Sequence, residues 1–185
     1  MFFKRLIDFF VAGTTLALLV WFLPVVAFFI KRDSVGPVFL RQQRVGKDGQ
    51  IFKCMKLRTM YLGTENLGTH EISVQAVTGV GRILRRLKFD ELPQIWNVLM
   101  GDMSLVGPRP SLPGQTEVIA AREKNGTALL LPGISGLAQI NYVDMSTPRK
   151  LAAYDALYLR NASVCMDIYI IGVTIMLSLR RVRKG

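Results

Sequence analysis

LIDFFVAGTTLALLVWFLPVVAFFI, running from Leu6 to Ile30, is the stretch on which the reading of this fold turns. Apart from Asp8, Thr14 and Thr15 it is apolar. At about 1.5 Å of rise per residue, about 20 helical residues cross the hydrocarbon core of a bilayer, so this run is long enough to do so. No small-residue cleavage pattern accompanies it, which argues against a cleaved signal peptide. Two features argue against a simple crossing. Pro24 lacks an amide donor and clashes with the preceding turn, so the helix is expected to break or kink there. Lys4 and Arg5 precede the run and Lys31 and Arg32 follow it, and positive flanks prefer the cytoplasmic side. Two readings stay open: an ordinary span kinked at proline, or a helix that enters, bends near Pro24 and returns to the same face.

The totals fit either. The chain has 185 residues, enough for one domain with a core, and half of them are hydrophobic. The mean hydropathy of +0.31 is high for an ordinary soluble domain. A formal net charge of +11 suits an anionic partner, whether nucleic acid, acidic lipid or a phosphorylated substrate. Cys54 and Cys165 form no CxxC and no metal-ligand spacing with His70, the one histidine. They are expected to be reduced structural thiols, and His70, in a polar stretch, a surface residue.

Beyond the apolar run, residues 38–45 and 51–58 flank Gly46-Lys47-Asp48-Gly49, a strong hairpin signal, and the second arm carries Lys53, Lys56 and Arg58. Residues 62–78 are polar and weakly patterned, as in a loop. A helix is expected over 79–88, with Arg82, Arg85 and Arg86 on one face. A second should start at Asp90 as N-cap, accept Pro93 in its first turn and stop near Gly101. Gly107-Pro108-Arg109-Pro110 reads as a rigid loop and Pro132–Gly136 as a turn. Thr147-Pro148 opens a helix through about Arg160, with Leu151, Tyr154 and Tyr158 sharing a face. Residues 165–179 are apolar except for a stripe of Asp167, Thr174 and Ser178, and are too few to span a bilayer. The basic tail that follows favours a helix lying at a membrane interface; a buried core helix with a solvated tail is the alternative.

The constellation with most chemical content is Arg82, Arg85, Arg86 and Lys88 followed at once by Asp90-Glu91. Arginine forks bind phosphate oxygens, and an ionised carboxylate held against them can attack phosphorus. A divalent ion would offset the repulsion between carboxylate and diphosphate. Equally, Asp90 could merely cap a helix and the arginines form a solvated face.

Several longer motifs decide more. Lys4-Arg5-Leu6-Ile7-Asp8, Gly36-Pro37-Val38-Phe39, Gln43-Arg44-Val45-Gly46, Phe52-Lys53 through Lys56-Leu57-Arg58-Thr59-Met60, Asp90-Glu91-Leu92-Pro93-Gln94 through Gly107-Pro108-Arg109-Pro110, and Pro132-Gly133-Ile134-Ser135-Gly136-Leu137-Ala138-Gln139 occur in that order. Over residues 4 to about 170 the chain resembles the monotopic phosphoglycosyl transferases, the bacterial sugar transferase family. The resemblance implies an enzyme that moves a phosphosugar from a UDP-sugar to undecaprenyl (polyprenyl) phosphate and releases UMP. It implies a catalytic pair, Asp90 and Glu91, with Asp90 as covalent nucleophile and as the Mg²⁺ ligand, and Glu91 assisting metal binding or the acceptor's attack. Lys56, Arg58, Arg85, Arg109 and Gln139 are the expected substrate-binding residues.

The implied fold is α+β and mostly helical. It has a re-entrant membrane helix with a proline kink (residues 1–32) and a catalytic domain (33–185) with a small β-hairpin and amphipathic interfacial helices. The implied location is the inner, cytoplasmic membrane of a bacterium, with the active site on the cytoplasmic face, membrane lipid as a partner and no nucleic acid. The chain looks like a minimal catalytic form without an added membrane domain. Two positions depart from the family pattern: Leu23 stands where Ser often precedes the proline, and Leu131 where a cation usually precedes Pro-Gly-Ile. A membrane-tethered basic adaptor would explain the charge and the apolar run, but it would not need Asp90-Glu91 beside the arginines.

Overall fold

The computed structural model describes residues 2–63 and 76–183. His70 and most of the polar stretch after Leu62 lie outside the described residues.

The apolar run forms one helix, α1 (Phe2–Asp33), about 48 Å long at helical rise. Of the break or kink expected at Pro24, the break is absent: the helix continues through the proline. Its buried residues, Asp8, Ala12, Leu19, Val26 and Ile30, recur at spacings of four and seven and make one stripe along its length. Packing of that stripe on both sides of Pro24 offsets the single backbone bond that proline forfeits. Leu23, in place of the family's Ser, joins the cluster of Val26, Ile30, Leu57 and Leu84.

Both ends of α1 are fastened to the same body. Near its start, Asp8 accepts from Ser104 Oγ at 2.8 Å and from the Leu105 amide at 3.1 Å. Lys4 Nζ lies 2.6 Å from Asp167 Oδ2, and Arg5 donates to the Met103 and Leu99 carbonyls. At its end, Asp33 Oδ2 accepts from the Val80 amide at 2.8 Å. The opposite face is apolar and open, with Phe10 76% and Trp21 83% exposed. Among the described residues α1 is the one helix long and apolar enough to cross a membrane.

The hairpin forms as expected from β1 (Phe39–Val45) and β2 (Ile51–Leu57), antiparallel with Gln42 opposite Cys54. Its turn needs a left-handed backbone at Asp48 and Gly49, which Gly49 adopts without strain. α2 (Gly79–Leu87) is capped by Thr78, whose hydroxyl accepts from the Gly81 amide.

The helix expected from Asp90 starts later. Lys88 takes a left-handed conformation, Phe89–Glu91 form one 3₁₀ turn, and α3 (Gln94–Met100) begins after Pro93. It ends, as read, at Gly101 in a left-handed C-cap. Asn97 ties α3 to β2, accepting from the Met55 amide at 2.9 Å and donating to the Lys53 carbonyl at 2.9 Å.

A further correction concerns Pro132–Gly136. Instead of a bare turn it holds β4 (Gly133–Ser135), parallel to β3 (Ser104–Val106). Gly107, Gly133 and Gly136 allow this backbone contact: a Cβ on Gly107 would collide with the Leu131 carbonyl, and one on Gly136 with the carbonyl of Gly107.

The remaining helices are α4 (Thr116–Lys124), α5 (Leu137–Ile140), α6 (Pro148–Asn161) and α7 (Val164–Arg183). Leu151 and Tyr158 of α6 are buried on one side, as read. Thr147 precedes α6 but makes no capping bond. α7 runs further than residue 179 because arginine is a good helix former. Its polar stripe faces the body: Asp167 Oδ1 accepts from Tyr158 OH at 2.6 Å, and Thr174 Oγ1 lies 2.5 Å from Ser135 Oγ. Ile168, Tyr169, Ile175, Met176 and Leu179 are exposed, so α7 is no buried core helix. Cys54 is buried, Cys165 is exposed and both are free thiols.

Candidate active site

The 3₁₀ turn Phe89–Glu91 is the centre of the site. It is set from below by Phe89, whose ring meets Phe22 of α1 edge-on at 5.5 Å between centroids and packs against the Leu57–Leu84 cluster. Successive residues of a 3₁₀ turn project about 120° apart, so adjacent carboxylates need not share an environment.

Glu91 points at Arg109: Oε1 accepts from Nη2 at 2.8 Å. Burial alone would raise its pKa, but Arg109, Lys56 and the hydrogen bond from Arg109 outweigh that and hold the carboxyl at about 2. The Glu91 charge in turn raises the Arg109 guanidinium above its ordinary value. Asp90 has a different balance of influences. Burial and the neighbouring Glu91 charge lift its carboxyl from 3.8 to about 6, opposed by Lys56 and Arg85. Arg109 bonds Glu91 and not Asp90.

Five cations, Arg44, Lys56, Arg85, Lys88 and Arg109, act on these two carboxylates. Burial lowers the pKa of Lys56, with Glu91 opposing. It also lowers Arg44, with Arg109 adding to that fall. Positive charge in excess of the carboxylates, gathered in a partly desolvated place, matches a polyanion such as a diphosphate.

The loop Gly107–Pro110 that carries Arg109 is pinned at successive backbone groups. The Gly107 amide donates to the Ser135 carbonyl at 2.9 Å, and the Pro108 carbonyl accepts from the Gly133 amide at 2.8 Å. The Arg109 carbonyl accepts from Arg122 Nη1 at 2.9 Å, and that of Pro110 from Arg44 Nη1 at 3.1 Å. The loop is rigid because of these bonds as well as its prolines.

The expected site residues fare differently in position. Asp90, Glu91, Lys56, Arg85 and Arg109 come together. Arg85 also donates through Nε to Thr59 Oγ1 at 2.8 Å, whereas Arg82 and Arg86 are exposed, so the three arginines do not act as one face. Arg58 is buried beneath the hairpin and spends Nη1 and Nη2 on the carbonyls of Val35 and Ser34. Gln139 donates to the Ile134 carbonyl at 3.0 Å and lines an adjoining cleft that Lys88 shares, with Tyr142, Thr174 and Ser178, of about 370 Å³ open to solvent. Lys88, read in sequence with the arginines before Asp90-Glu91, belongs to the site, and so does Arg44, which the sequence reading named only within the Gln43–Gly46 motif.

The family resemblance implies Mg²⁺, which takes oxygen ligands in a near-octahedral shell. No cluster of three or more His, Cys, Asp or Glu able to cage a metal occurs among the described residues. Glu91 already accepts from Arg109. One carboxylate, Asp90, remains, which suits an ion that takes one or two carboxylates and completes its shell with substrate phosphates and water.

Known proteins are similar to this chain along nearly its whole length. A family model described as bacterial sugar transferase matches residues 1–181. A UDP-glucose:undecaprenyl-phosphate glucose-1-phosphate transferase of Klebsiella pneumoniae is 40% identical over 95% of this chain and 40% of its own length. A UDP-N-acetylgalactosamine-undecaprenyl-phosphate N-acetylgalactosaminephosphotransferase of Aeromonas hydrophila is 35% identical over 94% of this chain and 43% of its own. An exopolysaccharide production protein, PSS, of Rhizobium leguminosarum bv. phaseoli is 36% identical over 96% of both. The chain thus spans less than half the length of the first two.

Proposed function

The chain belongs to the bacterial sugar transferase family, and from that premise we propose that it transfers a phosphosugar from a UDP-sugar to a polyprenyl phosphate, with Asp90 as covalent nucleophile. The observation that carries the reading is the division of labour in the carboxylate pair: Glu91 is bonded to Arg109 at 2.8 Å, while Asp90 beside it stays within the reach of Lys56 and Arg85.

An Asp90 carboxylate oxygen attacks the sugar-bearing phosphorus. The bond from that phosphorus to the bridging oxygen breaks, and UMP leaves with the electron pair. The phosphosugar is then an acyl phosphate on Asp90. A phosphate oxygen of the polyprenyl carrier attacks the same phosphorus and returns the carboxylate. Lys56, Arg85 and Arg109 balance the charge gathered on the phosphoryl oxygens, in place before the reaction begins. Glu91, ionised throughout, anchors Arg109 rather than moving a proton. Mg²⁺ would be held by Asp90 and the diphosphate and would supply further neutralisation of charge.

The membrane seat follows from α1. Its outward face is apolar, yet both ends bond to the body that carries the active site. A helix docked along its length on a body that must meet a water-soluble nucleotide fits a segment whose two ends stay on one side of the bilayer. This favours the re-entrant reading, with both ends and the active site on the cytoplasmic face. Single cysteines at position 2 and near Asp33 should both escape an impermeant reagent in intact cells; labelling of position 2 alone would establish an ordinary span.

The catalytic test withholds the acceptor. With a UDP-sugar and Mg²⁺ the protein should release UMP once and gain the mass of a phosphosugar on the peptide containing Asp90. Asp90→Asn, nearly the same size, should do neither. Undiminished UMP release by Asp90→Asn would remove Asp90 from the reaction.

A further inference from the structure

Resting on the transfer reaction proposed above, we infer that Arg122 and Asp155 are positioning residues that hold the Arg109 loop in register with Glu91. Neither belongs to a motif that carries the family resemblance, and neither touches the carboxylate pair. Asp155 of α6 is 2% exposed and Arg122 of α4 is 7% exposed. Asp155 Oδ2 accepts from Arg122 Nε at 2.8 Å and lies 2.8 Å from Nη2. The remaining nitrogen, Nη1, donates to the Arg109 carbonyl at 2.9 Å. The Arg109 guanidinium then reaches Glu91 at 2.8 Å. One unbroken series of contacts runs from α6 through α4 and the loop to the 3₁₀ turn.

Gluing α4 to α6 does not require this pair. Val118 and Leu151 already join the two helices in an apolar cluster with Ala138 and Val143. A buried ion pair is a poor adhesive compared with well-packed apolar residues, because desolvation of both charges offsets their attraction. What the pair adds is a fixed donor aimed at one carbonyl. Arg109 stands between Pro108 and Pro110, whose nitrogens carry no hydrogen, so its carbonyl is one of few handles on that part of the loop. Arg122 can grip Asp155 and still present Nη1 because a guanidinium is a rigid planar fork. A lysine ammonium is a single point and cannot serve both partners in the same geometry.

The decisive measurement is a kinetic double-mutant cycle on the full chain in lipid nanodiscs, with a UDP-sugar that supports turnover. Rates are taken per folded molecule, from circular dichroism and thermal unfolding of the same samples. Arg122→Lys should lower kcat by about tenfold or more with a smaller change in KM, since misplacement of a catalytic group by about 1 Å weakens the transition state more than the ground state. Asp155→Asn should lose less, because its amide oxygen still accepts from Nε. On an Arg109→Ala background, Arg122→Lys should cost no more than about twofold further, as expected for a residue that acts only through Arg109. Wild-type-like kcat in folded Arg122→Lys overturns the inference, and so does a loss that persists in full on the Arg109→Ala background. If Arg122→Lys does not fold, Asp155→Asn in the same cycle decides by the same criteria. No UMP release by the wild type from any UDP-sugar would instead overturn the transfer reaction, and the inference with it.

Discussion

Asp8→Ala should damage the active site from the far end of the membrane helix. Asp8 is 3% exposed, although it is an acid in an apolar run. Its two oxygens receive Ser104 Oγ at 2.8 Å and the Leu105 amide at 3.1 Å. Alanine removes both acceptors and leaves a hydroxyl and an amide without partners, at about 1–3 kcal/mol for each orphaned donor. The expected loss is therefore about 2–6 kcal/mol, or a fall in Tm of roughly 10 °C for a chain of this size. The effect should also reach catalysis, because β3 starts at Ser104 and feeds directly into Gly107–Pro110 and Arg109. Thermal unfolding in nanodiscs gives the first quantity, and UMP release per folded molecule at low temperature gives the second. Ser104→Ala should rescue part of the loss, since the double variant has one fewer orphaned donor, so the two changes should fall short of additivity by about 1 kcal/mol. Strict additivity, or a Tm unchanged in Asp8→Ala, would refute the reasoning that Asp8 is a structural acceptor.

Three further outcomes are expected. In the donor half-reaction, run without acceptor because a phosphate monoester itself titrates near pH ~6, UMP release should fall about tenfold per pH unit below about 6. That is the value to which burial lifts Asp90, and below it the carboxyl is protonated and cannot attack; a limb near pH ~4 would count against Asp90 as the attacking group. Glu91, held at about 2, contributes stability that is complete above its ordinary 4.5 and is lost as pH falls through about 2. Arg109→Ala raises that folded value, so acid unfolding followed by circular dichroism should begin at higher pH. Gly107→Ala drives a Cβ into the backbone of Leu131–Gly133 and should cost about 3 kcal/mol or more in thermal unfolding, whereas Gly114→Ala, with nothing within 4 Å, should leave Tm unchanged.

What the chain made legible follows the range of its interactions. α1, the hairpin, α2 and α6 announce themselves through apolar runs, a Lys-Asp-Gly turn and helical spacing, all local signals. β3 and β4 are three residues each and pair across nearly thirty positions, so no local pattern marks them. The positioning pair was missed because single charges in helices usually face water. Yet a signal was present. Arg122 lies four residues after Val118, and Asp155 four after Leu151, each on the apolar stripe of its own helix. Asp8 repeats the pattern, four residues before Ala12 on the stripe of α1. A charge on the buried face needs a partner, and each of the three has one.

The late start of α3 has chemical consequences. Had Asp90 capped that helix, its oxygens would have accepted backbone amides and met the positive end of the helix dipole, and both effects pull a carboxyl pKa down. A carboxylate so stabilised is a weak nucleophile. Instead the backbone turns left-handed at Lys88, closes one 3₁₀ turn over Phe89–Glu91 and leaves the role of N-cap to Pro93. Asp90 is then governed by burial and by the Glu91 charge, both of which raise it, with a backbone hydrogen bond last among the opposing influences. The same turn sends Glu91 toward Arg109 and Lys56, which lower it. Two neighbouring carboxylates in one sequence motif are thereby separated to about 6 and about 2, the first suited to the proposed attack on phosphorus and the second to the role of lasting counter-ion for Arg109. Phe89 between Phe22 and the Leu57–Leu84 cluster keeps the turn in place, so α1 is part of the apparatus that sets the environment of Asp90, the proposed nucleophile.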